Sequence, residues 1–199
     1  GARGSGQGAT TDRGLGKQVN AFLSEYGLRI SNRRVGYYPV NYPAQSIGTL
    51  ALLVNGDGTY FKGMDAGVVD ALSLLKQRYA MCPSEHYVLA GFSQGAMVVH
   101  RVLSRMAGAG LAASRFDGAV LIADGDRAAY RSERIRGTAS NTAFGVTWRF
   151  LGTSQLMTRY DAFTSRLPST GTYAIAAKTV SICDAGDAVC DAGAAFVDA

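Results

Sequence analysis

Residues 91–95 of this 199-residue chain read Gly-Phe-Ser-Gln-Gly, a serine with glycine two positions away on either side. Residues 86–92 before it form a compact apolar run of the kind found in strands buried on both faces. Residues 94–106 after it carry helical spacing, with almost no loop between. A strand that passes so abruptly into a helix forces the serine into a strained backbone conformation, and its neighbours two residues away must be nearly free of side chains. The strain pushes the hydroxyl out at the carboxyl end of the sheet. The helix that follows aims its free N–H groups at any anion formed there. Ser93 is therefore the candidate nucleophile; an idle serine in a tight turn is the alternative.

The remaining chain alternates between the same two kinds of element. Lys17, Val19, Phe22, Leu23 and Tyr26 have helical spacing over residues 16–26, and Val68, Leu72, Leu75 and Tyr79 do so over residues 64–79, which Pro83 stops. Residues 35–40 are an aromatic, β-branched run checked by Pro39 and Pro43, so a strand leading into a loop. Residues 55–58, Asn-Gly-Asp-Gly, read as a turn. Residues 116–123 and 178–183 are two further strands. Residues 128–172 lack periodicity, are rich in Gly, Ser, Thr and Arg, and are expected to run as a long surface excursion over one end of the sheet. No repeat or linker divides the chain. One α/β domain with a mainly parallel sheet is predicted.

Composition narrows what such a domain does. Hydrophobic residues at 47% against 18% charged give the balance of a packed globule. The longest apolar stretches fall short of the ~18 residues that cross a bilayer. The net charge of +5 comes mostly from scattered arginines, densest at Arg33–Arg34 and at Arg127, Arg131, Arg134 and Arg136. Without a clustered basic face or stacking motif, nucleic acid is not an expected partner, although such a field favours anionic surfaces, lipid head groups among them. Three cysteines occur, Cys82, Cys183 and Cys190. Cys183 and Cys190 are near enough to close a short loop, which implies an oxidising compartment. Their spacing fits no zinc site, the loop between them fails the EF-hand pattern, and neither a metal nor a cofactor is expected.

The segment Gly-Phe-Ser-Gln-Gly-Ala96, with Cys82-Pro83 some ten residues upstream, resembles the cutinase family. That likeness implies an α/β-hydrolase fold, a three-layer sandwich with helices on both faces of the sheet, and an esterase without a full lid acting on ester bonds of cutin, polyesters or lipids. Ala2-Arg-Gly-Ser5 is similar to the family segment whose serine joins the oxyanion hole. By that likeness Ser5 gives its backbone N–H and hydroxyl, and Gln94 the second backbone N–H. Read alone, residues 3–8 are merely a flexible glycine-rich stretch. Cys183-Asp-Ala-Gly-Asp-Ala-Val-Cys190 resembles the loop in which the triad aspartate lies between two disulfide-bonded cysteines, which makes Asp187 the acid and Asp184 the lesser candidate. Asp124 and Asp126, just past the strand after Ser93, are rivals, with turn chemistry as their plainer use.

A Ser-Asp-His order needs a histidine after Asp187, and none follows. His86 lies about 23 Å from Ser93, at the other end of its strand. His100 is about 10 Å along the following helix. Both are read as structural. The natural polypeptide is therefore expected to extend beyond both ends of these residues, supplying the first strand, a partner for Cys82 and the catalytic histidine. The protein is expected to be secreted and monomeric, with an ester of a lipid, polyester or cell-wall lipid as its partner. Acyl transfer to an alcohol through the same residues, or an inactive lipid- or polymer-binding protein, are the competing functions. Among the aromatics, Tyr37, Tyr38 and Tyr42 are assigned to the core, while Phe61, Phe144, Trp148 and Phe150 stay open between core and acyl groove.

Overall fold

Strand-forming runs that are apolar on both faces must be covered on both faces. In the computed structural model, which describes residues 1–30, 33–51, 58–150, 167 and 174–193, they are. The elements in chain order are α1 (Lys17–Arg29), α2 (Ile47–Ala51), α3 (Thr59–Met81), β1 (Tyr87–Phe92), α4 (Gln94–Arg105), β2 (Phe116–Ile122), β3 (Arg134–Arg136), α5 (Thr147–Phe150) and β4 (Thr179–Ile182). The four strands pair in parallel in the order β1-β2-β4-β3. Along β1 the side chains alternate. Val88, Ala90 and Phe92 pack with Leu15, Val19 and Leu23 of α1 and the turn before it. Tyr87 and Leu89 join Met64, Val68 and Leu75 of α3 and Met97, Val98 and Val102 of α4 on the opposite face. The result is the expected α/β arrangement in three layers, of the α/β-hydrolase kind.

Residues at the start of the chain extend the sheet past β1. The Ala2 N–H donates to the Ala90 carbonyl at 2.9 Å and the Phe92 N–H to the Ala2 carbonyl at 3.2 Å. On its other side Gly1 pairs with Tyr38 at 2.7 Å and Val40 at 2.8 Å. The strand expected over 35–40 is thus reduced to this short contact, because Pro39 has no N–H to give a ladder. The chain passes from Ala2 outward to 38–40 on one side, then returns to lay β1 on the other. The direction of winding reverses between Ala2 and β1, and ligands of open α/β sheets bind beyond the carboxyl ends of the strands at such a reversal. Residues 3–8 and 93–95 leave from that point.

One helix differs from its sequence reading in extent and one segment in character. α3 starts five residues earlier than its apolar spacing suggests and ends at Cys82, whose φ of −131° and ψ of 80° leave the helical region, as a residue before proline must. Residues 128–150 are no surface excursion. Ala128, Arg131, Glu133, Ala139, Ala143, Val146 and Thr147 are buried, and β3 adds an edge strand beside β4. Three residues reading Arg-Ile-Arg are too few for periodicity, and their charges suit an exposed edge. The turn expected at 55–58, apart from Gly58, and the rest of 128–172 apart from Leu167 lie outside the described residues.

Helix α4 is buried from Gln94 to Leu103, including two basic residues in succession. His100 Nδ1 meets Asp124 Oδ2 at 2.6 Å, and Arg101 holds Asp126 through Nε at 2.7 Å and Nη2 at 3.2 Å. The Thr147 hydroxyl donates to the same Asp126 carboxylate at 2.7 Å. Buried charges persist only when paired, and removing one partner costs about 3–5 kcal/mol. Burial works to lower the His100 pKa, but Asp124, by charge and hydrogen bond, with Asp126 and Glu133 adding, raises it from 6.5 to about 9. A folded pKa above the unfolded one gives stability that is full below pH 6.5 and lost as pH climbs to about 9. Urea midpoints should accordingly fall across that interval, and the slope should flatten in His100→Gln.

Candidate active site

Ser93 joins β1 to α4 with φ 53° and ψ −120°, a region that costs a non-glycine residue about 1–3 kcal/mol. The surroundings enforce it. Its N–H donates to the Ile122 carbonyl at 2.8 Å, and its own carbonyl accepts from Ala96 at 2.9 Å and Met97 at 3.1 Å. A Cβ on Gly91 would lie 2.3 Å from the Gly95 carbonyl oxygen; one on Gly95 would lie 2.1 Å from that of Ala2 and 2.4 Å from that of Arg3. Both glycines of the motif are thus required by backbone approach. The N–H groups of Gln94 and Gly95 open α4 and have no partner inside the helix, at the end where its dipole is positive. Ser93 itself is 9% exposed.

Residues 2–8 are tied down, contrary to the reading of a flexible stretch. The buried Arg3 donates to the Gln7 carbonyl at 2.9 Å, the Val40 carbonyl at 3.2 Å and the Tyr42 carbonyl, while the Tyr42 hydroxyl donates to the Arg3 carbonyl. The Gln7 side chain accepts from the Gly4 N–H at 2.7 Å, and Gly6 N–H reaches the Ala44 carbonyl at 2.9 Å. Ser5 lies on this clamped loop with its hydroxyl 3.0 Å from that of Tyr60. Gln94, the other proposed oxyanion residue, is buried, and its side-chain amide donates to the Tyr60 carbonyl at 3.4 Å. Tyr60 carried no signal in the sequence: it stands 55 residues from Ser5, and only the fold brings them together.

The acid loop follows β4. Cys183 and Cys190 form a disulfide with their Cα atoms 6.0 Å apart. Between them, Asp187 Oδ1 accepts from Val189 N at 2.8 Å and Cys190 N at 3.0 Å, and its side chain is half-buried. Asp184 is exposed and bound to Thr138. Both cysteines pack with Ala123 against Phe92, the residue before Ser93, so the loop stands at the same end of the sheet as the serine. The rivals Asp124 and Asp126 are buried and held by His100 and Arg101. His86 bonds Asp117 at 2.9 Å at the other end of the sheet.

Other candidates are distributed elsewhere. Tyr42 and Phe61 are core; Tyr38 is 38% exposed, stacked on by Arg78 at 4.9 Å, which corrects its assignment to the interior. Trp148 Nε1 donates to the Asp126 carbonyl at 3.4 Å, Phe144 borders Gly193, and the Phe150 side chain lies outside the described residues. A cavity of about 830 Å³ opens at the amino end of β1, bordered by Tyr38, Leu75, Cys82 and Tyr87; it does not include Ser93. Cys82 has no disulfide among the described residues. No cluster of three His, Cys, Asp or Glu among them is placed to hold a metal ion.

The sequence model of a family described as Cutinase matches residues 1–198. Carboxylesterase Culp1 of Mycobacterium tuberculosis is 32% identical over 105 residues, 53% of this chain and 41% of the relative. Probable carboxylesterase Culp3 of the same organism is 32% identical over 144 residues, 72% of this chain and 46% of the relative. The chain thus spans less than half the length of these curated relatives. Among solved structures, a cutinase-like protein from Cryptococcus sp. superposes with a TM-score of 0.64 at 22% identity, over 97% of this chain and 78% of the other, a likeness of fold. The close approach of residue 95 to the Ala2 and Arg3 backbone makes one prediction. Gly95→Ala should lower stability by on the order of 3 kcal/mol or more in a denaturant titration. Gly6→Ala, in the same loop with open space around it but a positive φ, should cost about 1 kcal/mol.

Proposed function

The chain belongs to the cutinase family, and we propose that it acts as a secreted serine ester hydrolase with Ser93 as nucleophile and Asp187 as acid. The observation that carries the reading is the backbone of Ser93. Strain of this kind, held by two glycines that tolerate no side chain, has a use where a hydroxyl must be presented at the start of a helix. In the proposed reaction the Ser93 oxygen attacks the ester carbonyl carbon as a histidine base takes its proton. The tetrahedral oxyanion receives hydrogen bonds from the Gln94 N–H and from Ser5. The C–O bond to the alcohol then breaks, the alcohol leaving with the proton from the imidazolium. Water, activated by the same base, releases the acid from the acyl-enzyme. Asp187 orients the imidazole and stabilises its cation, and the disulfide and two backbone N–H bonds hold its carboxylate in place.

His86 and His100 are engaged with Asp117 and Asp124, so the base is proposed to come from polypeptide outside these 199 residues. The Cys183–Cys190 bridge favours secretion, since such bonds persist in oxidising compartments. The substrate class proposed is carboxylic esters of lipids, polyesters or cell-wall lipids. A fluorophosphonate probe applied to the full-length protein should label Ser93 and nothing in Ser93→Ala. Asp187→Asn should lower kcat on 4-nitrophenyl esters by about 10⁴-fold. Labelling at a different residue, or unchanged turnover in either variant, would reject the assignment.

A further inference from the structure

Tyr60 touches both residues proposed to line the oxyanion hole. Its hydroxyl stands 3.0 Å from Ser5 Oγ, and its carbonyl accepts the Gln94 side-chain amide. It occupies the first turn of α3, is 1% exposed, and has the Phe61 ring edge-on against its own at 5.6 Å, so the phenol is held rigidly. We propose that Tyr60 is a positioning residue for ester hydrolysis, donating its hydroxyl proton to Ser5 Oγ so that the single Ser5 proton is aimed at the developing oxyanion. The inference rests on the esterase reading and adds to it a residue that acts through Ser5.

The direction of the bond follows from the charge that forms. A serine hydroxyl has one proton to give and two lone pairs to receive with. In the resting site either oxygen can donate to the other. Once a negative oxygen occupies the hole, the Ser5 proton goes to it, because a bond to an ionised acceptor is roughly twice as strong as a neutral one. Tyr60 is then the donor, and the chain Tyr60–Ser5–oxyanion strengthens as each bond polarises the next. An interaction that grows with the transition state raises kcat without tightening substrate. The phenol keeps its proton for this purpose: burial raises its pKa, the Ser5 hydrogen bond works the other way, and with Asp126 and Arg101 nearby the value is pushed up to about 12.

A merely structural role for the phenol predicts a different response when Ser5 is already gone, and that separates the two. Phosphylation by diethyl 4-nitrophenyl phosphate would be followed by release of 4-nitrophenolate and by the mass of the Ser93 peptide. The proteins compared are the full-length chain, Ser5→Ala, Tyr60→Phe and the double variant. Ser5→Ala should slow the reaction about 10²–10³-fold, and Tyr60→Phe on the order of tenfold. The double variant should match Ser5→Ala within about twofold, since nothing is left for the phenol to orient. On 4-nitrophenyl butyrate, Tyr60→Phe should lower kcat with KM little changed. A wild-type rate in Tyr60→Phe, or a full further loss when it is added to Ser5→Ala, overturns the proposal alone. Failure of the unsubstituted protein to be labelled at Ser93 overturns the esterase reading and this one with it.

Discussion

At Gly95 two stretches of backbone meet with no space for a side chain between them. The carbonyls of Ala2 and Arg3 press on the first turn of α4, and the sheet pairing of Ala2 with β1 follows from the same approach. Much else in the molecule serves to keep that contact. Arg3 is anchored by carbonyls of the 40–42 segment, Tyr42 returns a bond to Arg3, and the Ile122 carbonyl fixes the serine from the neighbouring strand. The loop bearing Ser5 and the turn bearing Ser93 are consequently one rigid assembly rather than two adjustable parts, as a site needs when reacting groups must be held within a fraction of an ångström.

Charge is handled differently on the two sides of that assembly. Behind it, α4 buries His100 and Arg101, and the two carboxylates following β2 neutralise them. Those acids are committed to holding a helix against a sheet. Asp187 sits instead on a half-buried loop, where two backbone N–H groups meet its Oδ1. Acids that follow two adjacent strands, β2 and β4, at one end of the same sheet therefore have separate employment, decided by which cations the neighbouring helix brings.

What the sequence made legible follows the range of the interactions. The strand–serine–helix junction, the parallel order and the disulfide loop are encoded locally, in glycines two residues from a serine and in apolar runs of the right length. The edge strand β3 was missed because Arg134-Ile135-Arg136 has no pattern of its own and is a strand only through β4. The clamp on residues 3–7 was missed because its partners, Val40, Tyr42 and Tyr60, are far along the chain and look like ordinary core residues. Tyr38 was misplaced for the same reason: an aromatic beside Tyr37 reads as interior, yet Arg78 of α3, far along the chain, covers it at the surface.

The pairing of Ala2 beside β1 has a consequence for how the chain acquires its shape. Arg3 closes on a partner 39 residues away, Ser5 on one 55 away, and Ala2 on Ala90 and Phe92. On a ribosome, residues 2–5 would emerge long before anything exists for them to dock on. They must wait until β1 has been synthesised and has left the exit tunnel. Long-range parallel closures of this kind are slow, and the waiting segment carries unpaired backbone meanwhile. The assembly that is most rigid in the finished protein is thus among the last to be built, and nascent chains would be most exposed to chaperones and proteases during that interval.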